Sequence, residues 1–351
     1  MIFDINGNPL EPLISGGIVG DGVTDDTTAL QALIDAGGGV RLPTGLKIKI
    51  TEPIEIDTEM LDFFDGGNST FIASGNFNAF EISGSAVSPC SGDPVGKDDL
   101  VNKEAGFVFQ NCRITSSAHT GVGIYMSNTY KARIENCYVY YTNVSLQIAN
   151  VHRDMIISNC AFYAFQQYGI YFDSSSDVHQ CNINGNTIQQ GTYGIYFNDP
   201  AQIANIQITG NDIEFGYYPT SNYTSQRGLY AYSGNTKAGQ FSEIEICGNT
   251  IQGHAKSTNI IEFVGGTNRY IMHTSIVGNH ISNTTGGNII LFTKVKGFTC
   301  CGNTFKDGGY VYAITDCQYV AITGEAATNV TGISTQSGTN TGVVIDNNTA
   351  G

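Results

Sequence analysis

The sequence NINGNTIQQGTYGIYF, residues 182–197, contains the pattern that recurs along most of the chain. It predicts a short strand, a corner at Gly185-Asn186, a second short strand, a small turn and a third strand that ends at Phe197. The same kind of corner recurs at Asn111-Cys112, Asn136-Cys137, Asn159-Cys160, Gly210-Asn211, Gly248-Asn249, Gly278-Asn279 and Gly302-Asn303. Successive corners are 23 to 38 residues apart. Self-similarity at this period indicates a solenoid, in which each repeat is one coil and stacking buries a continuous core.

The two corner positions have different physical roles. The first is always Gly or Asn, the residues that enter the left-handed backbone region most easily, so a sharp bend is expected there. The second is Cys in the first three corners and Asn in the next five. Coils stacked about 4.8 Å apart would place these side chains over one another, so the Asn amides would form a hydrogen-bonded ladder and the Cys would fill the same column by packing. No histidine shares the column, which favours a structural role over a metal site.

The nine cysteines leave two redox states open. Neighbouring coils would bring column cysteines within disulfide reach, so geometry alone permits a bridge. Their packing role and the cytosolic start of the chain favour reduced thiols.

Composition also agrees with a solenoid of short strands and turns. The 351 residues include 43 glycines and 19 tyrosines, no tryptophan, and only 13% charged residues. A net charge of −15 argues against nucleic acid and anionic membrane surfaces as partners, because both are negatively charged. It leaves glycans open as partners.

The first residues, MIFDINGNPLEPL, contain no basic region followed by an apolar segment. We therefore expect a chain made without a signal peptide, and no later segment is long enough to span a bilayer. The protein would then reach a virion or the extracellular space after lysis. Secretion is the alternative if the given chain is trimmed.

Residues 16–45 predict one short helix ahead of the coils. Thr24 or Asp25 is the expected N-cap, and Gly37–Gly39 would end the helix. Its apolar stripe consists of Ala29, Leu30, Leu33 and Ile34. Because the first coil of a solenoid exposes its core, this stripe is expected to cap that end.

This opening also carries a family resemblance. GDGVTDDTTALQALIDA, followed by GGGVRLPTG, resembles the start of pectate-lyase-like right-handed parallel β-helix proteins, which are common among bacteriophage tailspikes and polysaccharide depolymerases. The resemblance implies an all-β, single-stranded, right-handed parallel β-helix of about ten coils with an N-terminal capping helix. The expected divisions are 1–45, the N-terminal segment; 46–325, the β-helix; and 326–351, a thin terminal coil or oligomer contact. It also implies a polysaccharide partner and a homotrimer.

In that family the Asn corner lies between the second and third strands of a coil, and the outer face of the first strand forms the floor of the substrate groove. The strand alternation then places Tyr171, Tyr196 and Tyr230 on that floor. The equivalent outward positions in other coils are Glu81, Tyr125, Gln147 and Glu262. The tyrosines are either cross-strand packing or a platform for sugar rings, and both interpretations remain open.

Four long loops flank these strands: 85–105, 216–227, 233–240 and 265–273. Loops before and after the Tyr230 strand would rise on opposite sides of the tyrosines and wall a groove. The alternative is that the scaffold simply tolerates insertions there.

Glycoside hydrolysis needs two carboxyl groups about 5 to 9.5 Å apart, a distance of one or two coils. Glu214 and Glu262 are the first candidate pair, because they lie next to the stretch of the groove that has a loop on each side. Asp173 and Asp199 form the reserve pair. The more common role of each of the four acids is that of a solvated surface residue.

Other chemistries fit less well. The Asp motifs and histidine of the polygalacturonase branch are replaced by Thr192-Tyr193, Gln167-Tyr168 and Gln226-Arg227. A lyase would need a base and a cation, for which Arg227 is the well-placed residue, counted with the three tyrosines as a substrate-binding residue. No metal or cofactor is expected. Two function classes stay open: an enzyme that cleaves a bacterial surface polysaccharide, and a non-catalytic glycan-binding tail or adhesion protein.

Overall fold

The computed structural model describes residues 17–86, 106–215, 226–253, 259–282 and 287–350, except 236, 238 and 347, and the backbone of two short strands before them. One helix, α1 Thr27–Asp35, precedes most of the strands. In chain order the strands are β1 Ile2–Phe3, β2 Pro9–Leu10, β3 Asp21–Asp25, β4 Gly38–Arg41, β5 Lys47–Ile50, β6 Ile54–Asp57, β7 Leu61–Ala73, β8 Asn78–Ser83, β9 Val108–Ser116, β10 Val122–Tyr130, β11 Arg133–Glu135, β12 Tyr138–Tyr140, β13 Val144–Ser158, β14 Ala161–Tyr163, β15 Tyr168–Phe172, β16 Asp177–Asn184, β17 Thr187–Gln189, β18 Tyr193–Asn198, β19 Gln202–Thr209, β20 Asp212–Glu214, β21 Arg227–Tyr232, β22 Ile244–Cys247, β23 Thr250–Gln252, β24 Ile261–Val264, β25 Ile271–Met272, β26 Ser275–Val277, β27 His280–Ser282, β28 Ile290–Thr293, β29 Val295–Cys301, β30 Thr304–Thr315, β31 Gln318–Thr323, β32 Ala326–Ser337, β33 Val344–Asp346 and β34 Thr349–Ala350.

From β3 onward the described strands pair in parallel with strands of the neighbouring coils, and three sheets enclose one core. The first sheet contains β6, β8, β10, the start of β13, β15, β18, β21, β24, β28 and the ends of β30 and β32. The second sheet precedes the corner of each coil, as β16 and β19 do, and the third follows it, as β17 and β20 do. The predicted parallel β-helix is confirmed.

The solenoid has about twelve turns, slightly more than predicted. Parallel pairing already begins at β3 with β5, and it continues to β32 with β34. The paired strands therefore begin within the N-terminal segment, 1–45, and continue into the terminal segment, 326–351. In the last coils the core thins, because Val330, Ile333 and Ile345 are only partly buried.

The inward side chains follow the predicted alternation. Ile170, Phe172, Ile195 and Phe197 are fully buried, and the rings of Phe172 and Phe197 stack with their centroids 4.4 Å apart. Such stacks of large apolar side chains fill the core along its whole length, and burying each one contributes about 1.5–3 kcal/mol.

The corner column also forms as predicted. The first corner residue is left-handed throughout, with φ of 52° at Asn159, 63° at Gly185 and 63° at Gly210. In the second position, the backbone N and Nδ2 of Asn186 both donate to Oδ1 of Asn211, each at 3.0 Å. The same pattern then repeats through Asn249, Asn279 and Asn303.

Cys112, Cys137 and Cys160 are buried in that column as free thiols, and the other cysteines that the structure describes are free thiols at other positions. Burial raises the pKa of the Cys137 and Cys160 thiols well above the ordinary value, so both stay protonated. They act as small apolar side chains.

Helix α1 lies over the first coils with Leu30 and Ile34 buried, and Ala29 and Leu33 packed at the edge. The predicted N-cap was wrong, because Asp26 occupies that position. The Asp26 carboxylate instead accepts hydrogen bonds from N–H groups of the preceding loop, at Val19 and Gly20.

Candidate functional site

The outer face of the first sheet carries one row of side chains in strict register. Cross-strand pairing runs from Glu55 through the predicted positions to Leu291. The members between them are Glu81, Tyr125, Gln147, Tyr171, Tyr196, Tyr230 and Glu262. The three predicted tyrosines therefore lie on adjacent strands of the first sheet, β15, β18 and β21.

Two further tyrosines widen this row. Tyr168 and Tyr193 pair with each other at the start of β15 and β18. Tyr168 stacks on Tyr171 with ring centroids 4.4 Å apart, and Tyr193 stacks on Tyr196 at 5.2 Å. Sequence reasoning missed both, although YGIYF occurs twice, at 168–172 and 193–197. We call the five residues Tyr168, Tyr171, Tyr193, Tyr196 and Tyr230 the tyrosine ladder.

The ladder is half-buried and hydrogen-bonded. Asn198 Nδ2 donates to the hydroxyl of Tyr171 at 2.8 Å, and the Tyr196 hydroxyl donates to Asn198 Oδ1 at 3.1 Å. Burial raises the pKa of Tyr171 and Tyr196, and burial with the nearby Glu262 charge raises the pKa of Tyr230 to about 12. The hydroxyls are therefore neutral at ordinary pH and can both donate and accept hydrogen bonds.

At one end of the ladder, Arg227 joins the last tyrosine to a carboxylate. Its guanidinium carbon lies 4.9 Å from the ring centroid of Tyr230, and its Nε donates to Oε2 of Glu262. Asn259 Nδ2 donates to the same oxygen at 2.9 Å. Glu262 is only 7% exposed, so the cation and the amide stabilise a carboxylate that has lost most of its water.

The other predicted acid of that pair lies on a different sheet. Glu214 ends β20 in the third sheet, where it pairs with Gln189 and Gln252. Glu262 lies on β24 in the first sheet, in register with Tyr230. Phe215, which follows Glu214, is buried in the core.

The reserve pair is engaged in local structure. Asp173 accepts hydrogen bonds from Gln147 Nε2 at 3.1 Å and from the N–H and hydroxyl of Ser175 at 2.8 and 2.6 Å. Asp199 accepts the N–H of Gly234 at 2.7 Å and pairs with Arg269 at 3.1 Å.

Asp199 and Arg269 hold together one side of the groove. The Arg269 side chain is only 6% exposed, and it donates further hydrogen bonds to the carbonyls of Ala201 and Gly239. Asn235 Oδ1 accepts the N–H of Asn268 at 3.0 Å, which ties two of the long loops to each other. We call the described residues of 199–201, 233–240 and 265–270, which leave out 236 and 238, the wall. Of the predicted loops 85–105 and 216–227, residues 87–105 and 216–225 lie outside the described residues.

Among the described residues, no group of three or more His, Cys, Asp or Glu side chains is arranged to hold a metal ion. No helix among those residues is long and apolar enough to cross a bilayer.

Comparison with known proteins adds to this geometry. A family model described as a right-handed β-helix region matches residues 64–251, more than half of the chain. The chain belongs to this right-handed β-helix family. No curated protein sequence matches it.

Several solved structures share the right-handed β-helix fold at low identity. A family 28 exopolygalacturonase from Yersinia enterocolitica has a TM-score of 0.64 and 11% identity, covering 95% of this chain and 77% of the other. PfbA, a surface adhesin of Streptococcus pneumoniae, has a TM-score of 0.53 and 16% identity, covering 92% of each chain. Tailspike protein 3 of bacteriophage CBA120 has a TM-score of 0.50 and 14% identity, covering 95% of this chain and 60% of that one. These similarities establish the β-helix fold alone.

Proposed function

We propose that this right-handed β-helix protein binds a bacterial surface polysaccharide along the tyrosine ladder. The observation that carries the proposal is the stack of five tyrosines on three adjacent strands, half-exposed beside the wall. Such rings offer an apolar surface for the C–H faces of sugars and a hydroxyl for hydrogen bonding. A solenoid core does not require a row of aromatic rings on its outer surface.

The position of Glu262 favours a protein that also hydrolyses the bound polysaccharide. Its carboxylate lies next to Tyr230 in the row and is largely desolvated. A catalytic pair with Glu214 needs the two carboxyls to approach the same glycosidic bond across two sheets, and Asp173 and Asp199 remain the reserve pair. The similar fold of an exopolygalacturonase is compatible with hydrolysis. It is also compatible with cleavage by a lyase reaction.

Binding without cleavage is the version that the hydrogen bonds favour. Arg227 and Asn259 both occupy Oε2 of Glu262, and Arg269 and Gly234 both occupy Oδ1 of Asp199. These carboxylates are positioned as structural acceptors. The similar fold of a surface adhesin is compatible with such a role.

A homotrimer with parallel axes, as in a phage tailspike, is our proposal for the assembly. It is supported by the last coils, where Val344 is 54% exposed and Ile333 is only partly buried. Subunit contacts there would cover apolar side chains and an open sheet edge. Such a protein would reach the virion or the exterior after lysis. A single monomeric species in sedimentation at micromolar concentration would contradict the trimer.

The function is tested by incubating the protein with capsules and exopolysaccharides from many bacteria. Binding is measured by co-sedimentation, hydrolysis by new reducing ends, and lyase activity by the ultraviolet absorbance of unsaturated uronates. Binding with new reducing ends supports the hydrolase, and binding without either product supports the non-catalytic protein. If no polysaccharide is bound, the proposed function is wrong.

A further inference from the structure

We infer that the polysaccharide held on the tyrosine ladder is uncharged, built of neutral hexoses or N-acetylhexosamines and not of uronic acids. The inference rests on the proposed function and names the substrate class of the same site. It follows from the distribution of charge along the outer face of the first sheet.

Negative charge dominates this face. Among the described strands of the first sheet, one cation, Arg227, points outward. The acids on the same face of these strands are Glu55, Asp57, Glu81 and Glu262, and Asp173 directly follows β15 and accepts a hydrogen bond from Gln147 in the row. A polyuronate lying along the ladder would therefore meet Glu81 and Asp173 on one side and Glu262 on the other.

The single cation is already used. Arg227 donates to Glu262 and lies over the rings of Tyr230 and Tyr193, so its charge is compensated inside the site. In the wall, Arg269 is paired with the Asp199 carboxylate, and Lys237 is the other described cation; Lys294, at the edge of the wall, donates to the neutral hydroxyl of Thr267. Recognition of a uronate requires a cation, best an Arg presenting its fork to the carboxylate. Among the described strands of the first sheet, the cation that faces the ladder is Arg227, and Glu262 already accepts its Nε.

The field of these acids reaches the outward row of the first sheet, within the tyrosine ladder and next to it. In the ladder, burial and the negative charge of Asp173 raise the pKa of Tyr171, although its hydrogen bond with Asn198 acts the other way. The negative charges of Asp173 and Glu81, added to burial, raise the pKa of Tyr125, which lies two strands before Tyr171 in the same row. A charge that opposes the ionisation of a phenol there would also oppose a bound carboxylate.

Neutral sugars fit the same groups. Their C–H faces can contact the rings, and their hydroxyls can donate to the carboxylates of Glu81 and Asp173 and exchange hydrogen bonds with Asn198 and Gln147. Acids that repel a uronate are therefore useful acceptors for a neutral glycan.

The test is calorimetric titration of the full chain with two sets of polymers at low and high salt. Dextran, mannan, galactan and an N-acetylhexosamine polymer form the neutral set, and polygalacturonate and alginate form the uronic set. We expect binding to a member of the neutral set at least about tenfold tighter than to either uronate. Its Kd should change less than about twofold with salt, since no charges are paired. Tighter binding of a uronate overturns this inference and leaves the proposed function standing. No binding in either set also overturns this inference, whereas the proposed function fails only if the screen of bacterial capsules and exopolysaccharides finds no ligand.

A charge variant sharpens the test. Glu262→Gln frees Arg227 from its carboxylate and should increase affinity for polygalacturonate about tenfold, with a salt dependence that wild type lacks. Glu245→Gln removes the same charge from an exposed position on the second sheet and is the matched control. An equal effect of both variants, or none from Glu262→Gln, would contradict the compensation of Arg227 by Glu262.

Discussion

Arg227 on β21 donates a hydrogen bond from Nε to Oε2 of Glu262 on the next strand of the first sheet, β24. Their side chains are 13% and 9% exposed, so both charges have left most of their water. This pair closes one end of the tyrosine ladder. It makes the end of the proposed groove a structural unit as well as a candidate binding surface.

Removing one partner of this pair should be costly. Arg227→Ala leaves Glu262 buried with Asn259 as its remaining side-chain donor among the described residues, so we expect the free energy of unfolding in urea to fall by about 3 kcal/mol. Arg133→Ala is the control, because that side chain is exposed and its Nη1 lies 3.9 Å from Oε1 of Glu135. This substitution should lower the free energy of unfolding by less than about 1 kcal/mol. Equal losses would mean that the Arg227 contact is an ordinary surface pair.

The two reserve acids should differ in stability. Asp199→Asn leaves the buried Arg269 without its counter-ion and should lower the free energy of unfolding by about 3 kcal/mol. Asp173→Asn affects an acid whose partners, Gln147 and Ser175, are neutral, so its loss should be smaller, about 1 kcal/mol. Urea unfolding of both variants tests the difference, and a more stable Asp199→Asn protein would contradict a structural role for that pair.

The asparagine ladder should be sensitive to a single truncation. Asn211→Ala removes the acceptor of two Asn186 hydrogen bonds and leaves buried donors unsatisfied, which should cost about 1–3 kcal/mol or more. Gln207→Ala, at an exposed position on the neighbouring strand, should change stability by less than about 0.5 kcal/mol. Thermal and urea unfolding measure both, and equal effects would show that the ladder does not stabilise the stack.

Glu325 predicts a pH dependence. It continues the asparagine ladder after Asn303, whose backbone N and Nδ2 donate to its carboxylate. Its carboxylate also accepts a hydrogen bond from the Tyr312 hydroxyl at 2.9 Å, and the residue is 1% exposed. Burial raises its pKa above the ordinary value, although its hydrogen bonds act the other way. Its folded-state pKa is then above the unfolded one, so its contribution to stability is complete below the unfolded pKa and is lost as pH rises through the folded pKa.

Glu325→Gln removes this titration, so the stability of wild type relative to the variant should fall as the pH rises from about 4 to about 8. Thermal unfolding monitored by circular dichroism across that range gives the difference directly. Parallel stability curves for the two proteins would contradict the linkage.

The repeat made the fold and the inside-outside pattern predictable. Gly and Asn at the first corner position report the left-handed bend, and the period of two in YGIYF places Ile170 and Phe172 inward. These are local requirements that every coil must meet. They are therefore visible without knowledge of neighbouring coils.

Features that depend on distant partners were not predictable. Arg269 reaches Asp199, 70 residues earlier in the chain, through loops of irregular length. In the asparagine ladder, Glu325 supplies a carboxylate where the other coils supply an amide, so the Asn pattern of the corners does not include it. A second left-handed backbone position, with φ between 51° and 60°, recurs at Gln180, Asn205, Glu243 and His273. These four positions share no residue type that would have predicted the conformation.

The most direct test of the central claim is calorimetric titration of Tyr196→Ala with a polysaccharide that wild type binds. Tyr196 lies in the middle of the ladder, and Tyr163→Ala is the matched control on the outer face of the third sheet. Unchanged circular dichroism of both variants confirms folding. We predict that Tyr196→Ala weakens binding by about 1 kcal/mol or more, through lost ring contact, and that Tyr163→Ala binds as wild type does. Full affinity in Tyr196→Ala, or a loss confined to Tyr163→Ala, would contradict the placement of the glycan on the tyrosine ladder.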